Sequence, residues 1–357
     1  MNNLDKNGFN LIEAYEEKNF DVLSLVSDTP FTQGFFYGEW QKEFGRSVRR
    51  FKIESAEGVM AFFQVIKFTL PFGLSYLYIP HGPIITQDLE KDFWTFFREC
   101  LFKLCSEEKA IFARFDFFPP ERLFGRAGPP GNTPSIFYSA PIWTHRSAVF
   151  QPCFEWLVDL NSDISVLLNK MHPKTRYNIG LAERKGVQSK IINVTEMQNY
   201  FEDFYNLMLQ TAARGGFALH PKEYYQAIFD CTVKDKNAFL VVTGTESKVL
   251  VINFVLIFGK TATFVFTGSS DELRNFKATY LSRWKGIEEI KRRGCSSVSF
   301  GGFGKDKNYT DWKGISDFKQ QFMEGNILEY SAPIDLICRP FLYKLWLLRK
   351  FVKSTSA

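Results

Sequence analysis

Paired cysteines are missing from this 357-residue chain: the six it has (Cys100, Cys105, Cys153, Cys231, Cys295, Cys338) form no C-x-x-C motif, and only four histidines could join them. That excludes a disulfide framework and argues against a zinc site, so the cysteines are read as reduced core residues and neither a metal nor another cofactor is expected. No apolar run is long enough to span a bilayer, which takes about 20 residues, because AFFQVIKFTLPFGLSYLYI is broken by Gln64, Lys67 and Pro71. The start, MNNLDKNGFNLIEAYEE, lacks the basic and apolar regions of a secretory signal, so a cytoplasmic location is expected. Net charge is also small. A net +5 does not mark a nucleic-acid binder by itself, although it leaves room for local basic surfaces.

Aromatic residues, in contrast, are abundant, with 39 Phe and 14 Tyr in a chain that is 45% hydrophobic. Such a chain can build real cores, and its length favours two domains over one. Residues 59–85 hold two β-rich runs split by Pro71 and Gly73, a hairpin pattern, followed by a turn at Pro80 to Pro83. From Leu89 to Glu107, Phe93, Phe97, Leu101 and Leu104 recur at helical spacing, and IFARFDF (111–117) reads as a strand. The order then repeats. VLVINFVLIFG and TATFVFTGSS are paired strands, Asn275 to Arg293 carries a helical stripe of Phe276, Tyr280, Trp284, Ile287 and Ile290, and SSVSFGGF (296–303) is a strand. Two copies of hairpin, helix and strand imply two similar α/β domains. PPERLFGRAGPPGNTPS (119–135) reads as a surface loop, either a boundary or a lid.

MHPKTRYNIGLAERKGV (171–187) is a dense basic segment, and Pro173 and Gly186 suit the start and end of a helix. Lys174, Arg176, Arg184 and Lys185 could bind an anion there or simply solvate a face. RLFGRA (122–127) fits the R-x-x-G-x-A pattern of coenzyme A sites, but flanking prolines argue against a helix opening there. GGFGK (301–305) has the wrong spacing for a Walker motif. PFLYKLWLLRKFVK (340–353) is a basic amphipathic segment that could rest on an anionic bilayer or pack on the first domain.

YIPHGPI (78–84), RFD (114–116), KTRYNIGLAERKGV (174–187), TGSSDELRNFKATYLSRWKGIEEIKRRG (267–294), FGGF (300–303) and DFKQQF (317–322) together resemble the Fem family (FemX, FemA, FemB), bacterial aminoacyltransferases that build the peptidoglycan cross-bridge from aminoacyl-tRNA. The resemblance implies two acetyltransferase-like (GNAT) α/β domains, the second inserted in the first: residues 1–155 with 318–357, and 156–317. It also implies no helical arm, as in the compact FemX type. Its implied partners are an aminoacyl-tRNA and a peptidoglycan precursor carrying a diphosphate, UDP-linked or lipid-linked; peripheral contact with the inner membrane face through the 340–353 segment and a monomeric state are separate expectations.

The same resemblance places Lys42 and Tyr224 at the precursor and Lys319 at the catalytic cation. Asp116 is a carboxylate that could orient the amine or cap a turn. His220 stands where the FemX type has an arginine on phosphate; a neutral imidazole cannot make that contact's bidentate, permanently charged bond. Lys174, Arg176, Arg184 and Lys185 acquire anionic ligands in this setting. Two other functions fit the residues: a GNAT-type acyltransferase with a thioester donor, and a non-catalytic protein that binds precursor or tRNA.

Overall fold

A computed structural model of the chain describes residues 4–6, 8–26, 30–85, 91–116, 144–146, 151–304, 313–331 and 333–354. The 119–135 segment and the 122–127 motif lie outside these residues. The chain divides into two units, Met1–Cys153 with Glu329–Ala357, and Phe154–Leu328.

The first unit is built on a mixed sheet. Among the described residues its strands run in the order Leu4–Lys6, Phe9–Glu13, Ser47–Ser55, Gly58–Thr69, Ser75–Ile79, Ala110–Phe115, Ile334–Ile337 and Thr144–Arg146. Gly58–Thr69 and Ser75–Ile79 are antiparallel around a Pro71–Gly73 turn, where Phe72 takes φ 62°. The Lys91–Glu107 helix then crosses over to Ala110–Phe115, which lies parallel to Ser75–Ile79. Phe93, Phe97, Leu101 and Leu104 face the core at the spacing their sequence predicts, joined by Phe96 and Cys100.

The second unit repeats that path. Val249–Phe258 and Thr261–Ser269 form the hairpin, the Ala278–Arg292 helix crosses over, and Ser297–Gly302 lies parallel to Thr261–Ser269. The helix begins three residues later than the sequence stripe suggests. Leu273 and Lys277 adopt left-handed backbone (φ 49° and 60°), so Arg274–Phe276 forms a separate single turn before the helix opens. Gly286 lets this helix approach the sheet closely: a Cβ there would lie 2.8 Å from the Phe264 ring.

In both units the central strand of the hairpin is buried along most of its length and carries one buried amide. Gln64 donates to the carbonyls of Thr32 (2.7 Å) and Gly34 (3.0 Å). Asn253 donates to Ser282 Oγ (2.6 Å) and accepts from Thr267 (2.8 Å). Buried amides without partners would cost roughly 1–3 kcal/mol each, so these networks fix which loop and which helix face each strand.

The return to the first unit falls at Glu329, beyond the residue 318 expected from the sequence. The Lys313–Phe322 helix stays with the second unit because Phe322 and Met323 enter its core and Trp156 Nε1 donates to the Met323 carbonyl (3.1 Å). Once back, Ile334–Ile337 pairs with Ala110–Phe115, and Asp335 takes both Arg114 Nε (2.7 Å) and Nη2 (2.9 Å). Five of the six cysteines are buried and none is disulfide-bonded. Among the described residues no group of three or more metal-binding side chains converges, and no helix is long and apolar enough to cross a membrane.

Candidate functional site

Inside the second unit, Lys319 projects from the last turn of the Lys313–Phe322 helix with 6% of its surface exposed. Its ammonium donates to the carbonyl of Gly302, at the end of the Ser297–Gly302 strand. Gly301, just before, holds φ 76°, a left-handed conformation suited to glycine, and a Cβ there would lie 4.0 Å from Lys319 Nζ. Burial, with the charge of Arg283 added, pushes the Lys319 amine down to about 7 against the pull of Glu155. At neutral pH this amine is therefore divided between its charged and uncharged forms.

Arg283 is a functional candidate that no sequence motif marks. It lies over the rings of Phe264 (3.9 Å) and Phe300 (5.1 Å), its Nη2 reaches Thr267 Oγ1 at 3.4 Å, and its Nε and Nη1 are buried with no hydrogen-bond partner. Burial holds this guanidinium down to about 9. A signal was present in the sequence: position 283 falls three residues after Tyr280 and four before Ile287, so a charge sits on the apolar stripe of its helix. Glu155 accepts from Ser299 Oγ (2.6 Å), and Ser299 Oγ in turn accepts from the Gly301 N–H (3.0 Å). Two buried cations with one nearby carboxylate leave positive potential in a dry interior, where it acts on any developing negative charge far more strongly than in water.

In the first unit, Asp116 closes the Ala110–Phe115 strand in complete burial. One carboxylate oxygen accepts from Tyr78 OH (2.8 Å), the other from the backbone N–H of His81. Burial pushes Asp116 up to about 6, against those two hydrogen bonds and the charge of Arg114. His81 has φ 52°, stacks on Tyr330 at 3.8 Å, and its Nδ1 lies 3.1 Å from Thr32 Oγ1. Burial pulls this imidazole down to about 3, so it is neutral. Gln33 ties the same turn by donating to the Pro80 carbonyl (2.6 Å). Asp116 thus holds the turn after Ile79, while the turn that follows its own strand lies outside the described residues.

The basic helix forms as Pro173–Arg184, with His172 at its N-cap accepting from the Lys174 N–H (3.2 Å) and Gly186 left-handed after its end. Its four bases divide. Arg176 donates to the carbonyls of Asn169 (2.8 Å) and Met171, closing the preceding Ile164–Lys170 helix. Lys185 donates to the Asn275 carbonyl (3.1 Å) and lies 4.9 Å from the Phe276 ring. Lys174 and Arg184 are exposed, and Arg184 passes 5.7 Å from the exposed ring of Tyr177.

His220 and Tyr224 come together with ring centroids 4.1 Å apart, the histidine exposed and the tyrosine buried at the start of the Lys222–Asp235 helix. Lys42, in the last turn of the Phe35–Glu43 helix, pairs with Glu39 (3.0 Å), which also takes the buried Arg50 (2.7 Å). An exposed pair of this kind is worth about 0–1 kcal/mol, so Lys42 is free to exchange Glu39 for another anion.

The sequence matches the FemAB family over residues 143–251 and 243–350, more than half of the chain. Among solved structures the chain is similar to FemX, with a TM-score of 0.76 at 15% identity, covering 94% of this chain and 99% of that one. It is also similar to a conserved protein of unknown function from Bacteroides thetaiotaomicron VPI-5482 (TM-score 0.59, 10% identity, 90% and 96% covered). A tandem GNAT protein from the clavulanic acid biosynthesis pathway gives a TM-score of 0.54 at 12% identity, with 92% and 98% covered. At such identities the likeness is one of fold, and it is the expected mixed α/β architecture with GNAT-like units. No curated protein matches the chain.

Proposed function

The chain belongs to the FemAB family and is with it a transferase, and from that premise we propose that it moves an aminoacyl group from aminoacyl-tRNA to the stem-peptide amine of a peptidoglycan precursor, UDP-MurNAc-pentapeptide or lipid II. The observation that carries the proposal is Lys319, a buried amine poised near 7 beside the Gly302 carbonyl and within the field of Arg283.

The reaction needs no covalent enzyme intermediate, since the donor ester is already activated. The acceptor nitrogen adds its lone pair to the ester carbonyl carbon, giving a tetrahedral oxyanion. The carbon–oxygen bond to the tRNA ribose then breaks, and the proton lost by nitrogen ends on the ribose oxygen. Lys319 in its uncharged form can take that proton, and once charged it stabilises the oxyanion, with burial and Arg283 together raising the share of uncharged amine at rest. Asp116 acts in this scheme as a positioning residue for the Pro80–Pro83 turn. Tyr224, His220 and Lys42 are assigned to the precursor, and Lys174 and Arg184 to phosphate of either substrate.

Incubation with a mixed pool of charged tRNAs and either precursor, followed by product mass, tests the proposal. A precursor heavier by one aminoacyl residue supports it. Acyl transfer from coenzyme A thioesters alone would replace it with the GNAT-type alternative, and binding without turnover would leave a binding protein.

A further inference from the structure

The Pro340–Ser354 helix divides its apolar residues between two faces. Leu342, Tyr343, Trp346 and Leu347 pack on the first unit against Tyr76, Tyr78, Ile111 and Phe112, with Trp346 and Phe112 at 4.8 Å and Tyr343 OH donating to Asp335 (2.7 Å). That much meets the ordinary need of an amphipathic helix. A second stripe remains outside: Phe341, Leu345 and Leu348 are 73%, 47% and 63% exposed at i, i+4 and i+7, with exposed Lys344 among them.

A second exposed aromatic rises from the same cluster. Leu70 and Leu74 pack on the same aromatic cluster as Leu342 and Trp346, and the turn between them presents Phe72, 98% exposed and held at φ 62°. A bulky residue in left-handed backbone is an outlier, so the tip is fixed by its packed neighbours and not by its own preference. Charge on the helix has one sign. The helix sequence carries Lys344, Arg349, Lys350 and Lys353 without an acid, whereas Lys67, before the turn, is paired with Glu108 (2.9 Å).

Exposed leucines and phenylalanines with exposed Lys344 on a helix that carries no acid match one surface in both respects: acyl chains accept the apolar groups while lipid phosphates accept the lysine. We propose that the Phe72 tip and the outer face of the Pro340–Ser354 helix dock this protein on an anionic lipid bilayer. A second copy of the chain is disfavoured as occupant, because it would bring the same cations against themselves. The proposal stands independently of the transfer chemistry.

Vesicle flotation tests it, using the full chain with phosphatidylcholine vesicles containing or lacking phosphatidylglycerol. The wild type should float with the anionic vesicles, less so as salt rises and little with the neutral ones. Combined Phe72→Asn, Leu345→Gln and Leu348→Gln should lower binding at least about tenfold, and Lys344→Glu should weaken binding to anionic vesicles. All four side chains are exposed, and Asn tolerates the φ of position 72, so the melting curves should match the wild type. If the triple variant does not fold, Lys344→Glu and the two vesicle compositions decide. No flotation of the wild type, equal flotation with both vesicles, or undiminished binding by the variants overturns the proposal. So does a sedimenting dimer that these substitutions disperse.

Discussion

Arg283 and Lys319 are two cations buried in one interior: the guanidinium lies 3.9 Å over Phe264, and its charge helps hold the Lys319 amine near 7. An unpaired buried charge costs several kcal/mol, so the fold carries this pair at the expense of stability.

Lys319 should therefore leave a mark on stability as well as on rate. In the unfolded chain its amine titrates near the ordinary 10.5, in the fold near 7, so between those values the unfolded chain binds more protons. Wild-type stability falls as pH drops from about 10.5 to about 7 and then levels, whereas Lys319→Met does not titrate. The melting temperature of the variant minus that of the wild type should rise as pH falls across that window. A gap independent of pH would place the amine in water.

Arg283→Met should shift the pH at which Lys319 titrates upward, by removing a like charge. The shift is read from the acid limb of kcat/KM. Because the guanidinium has two unsatisfied nitrogens, the substitution should be neutral or stabilising in a thermal melt. An unmoved acid limb would make Arg283 structural only.

Within the basic helix the four cations should separate by phenotype. Lys174→Glu with Arg184→Glu should weaken tRNA binding and flatten its salt dependence, with little change in melting temperature. Arg176→Ala should instead destabilise the fold by about 1–2 kcal/mol, since it leaves the carbonyls of Asn169 and Met171 without their donor. Filter binding at several salt concentrations and a urea titration distinguish the two. Identical salt slopes for the double variant and its parent would return this helix to a solvated face.

Asp116 is raised to about 6, so between about 4 and 6 the fold holds a proton that the unfolded chain releases. Wild-type stability should fall as pH rises through that interval and be flat above it, and Asp116→Asn should abolish the slope. Its effect on kcat should stay below about tenfold, as suits a residue whose two oxygens are taken by Tyr78 and His81. A hundredfold loss in kcat with an unchanged melt would make it a group acting on substrate.

The repeated hairpin, helix and strand were legible because each depends on local periodicity and turn residues: Phe93, Phe97, Leu101 and Leu104 at helical spacing, Pro71 and Gly73 between strands. The start of the Ala278–Arg292 helix was not, since the left-handed Lys277 has no propensity signal. Among the site residues, Lys319 could be picked out by motif, but its depressed titration depends on burial and on Arg283, a long-range pairing no local pattern encodes. Likewise the basic helix could be delimited by Pro173 and Gly186. Which of its cations are committed to carbonyls required the positions of Asn169, Met171 and Asn275.

Single-turnover aminoacyl transfer from charged tRNA to the precursor, followed from about pH 5.5 to 8.5 in the wild type and in Lys319→Ala, tests the central claim most directly. The predicted result is transfer by the wild type whose rate falls below about pH 7, with the variant slower by about 10²–10³ and lacking that limb. A variant as fast as the wild type, or a wild type that transfers nothing from tRNA at any pH, would contradict it.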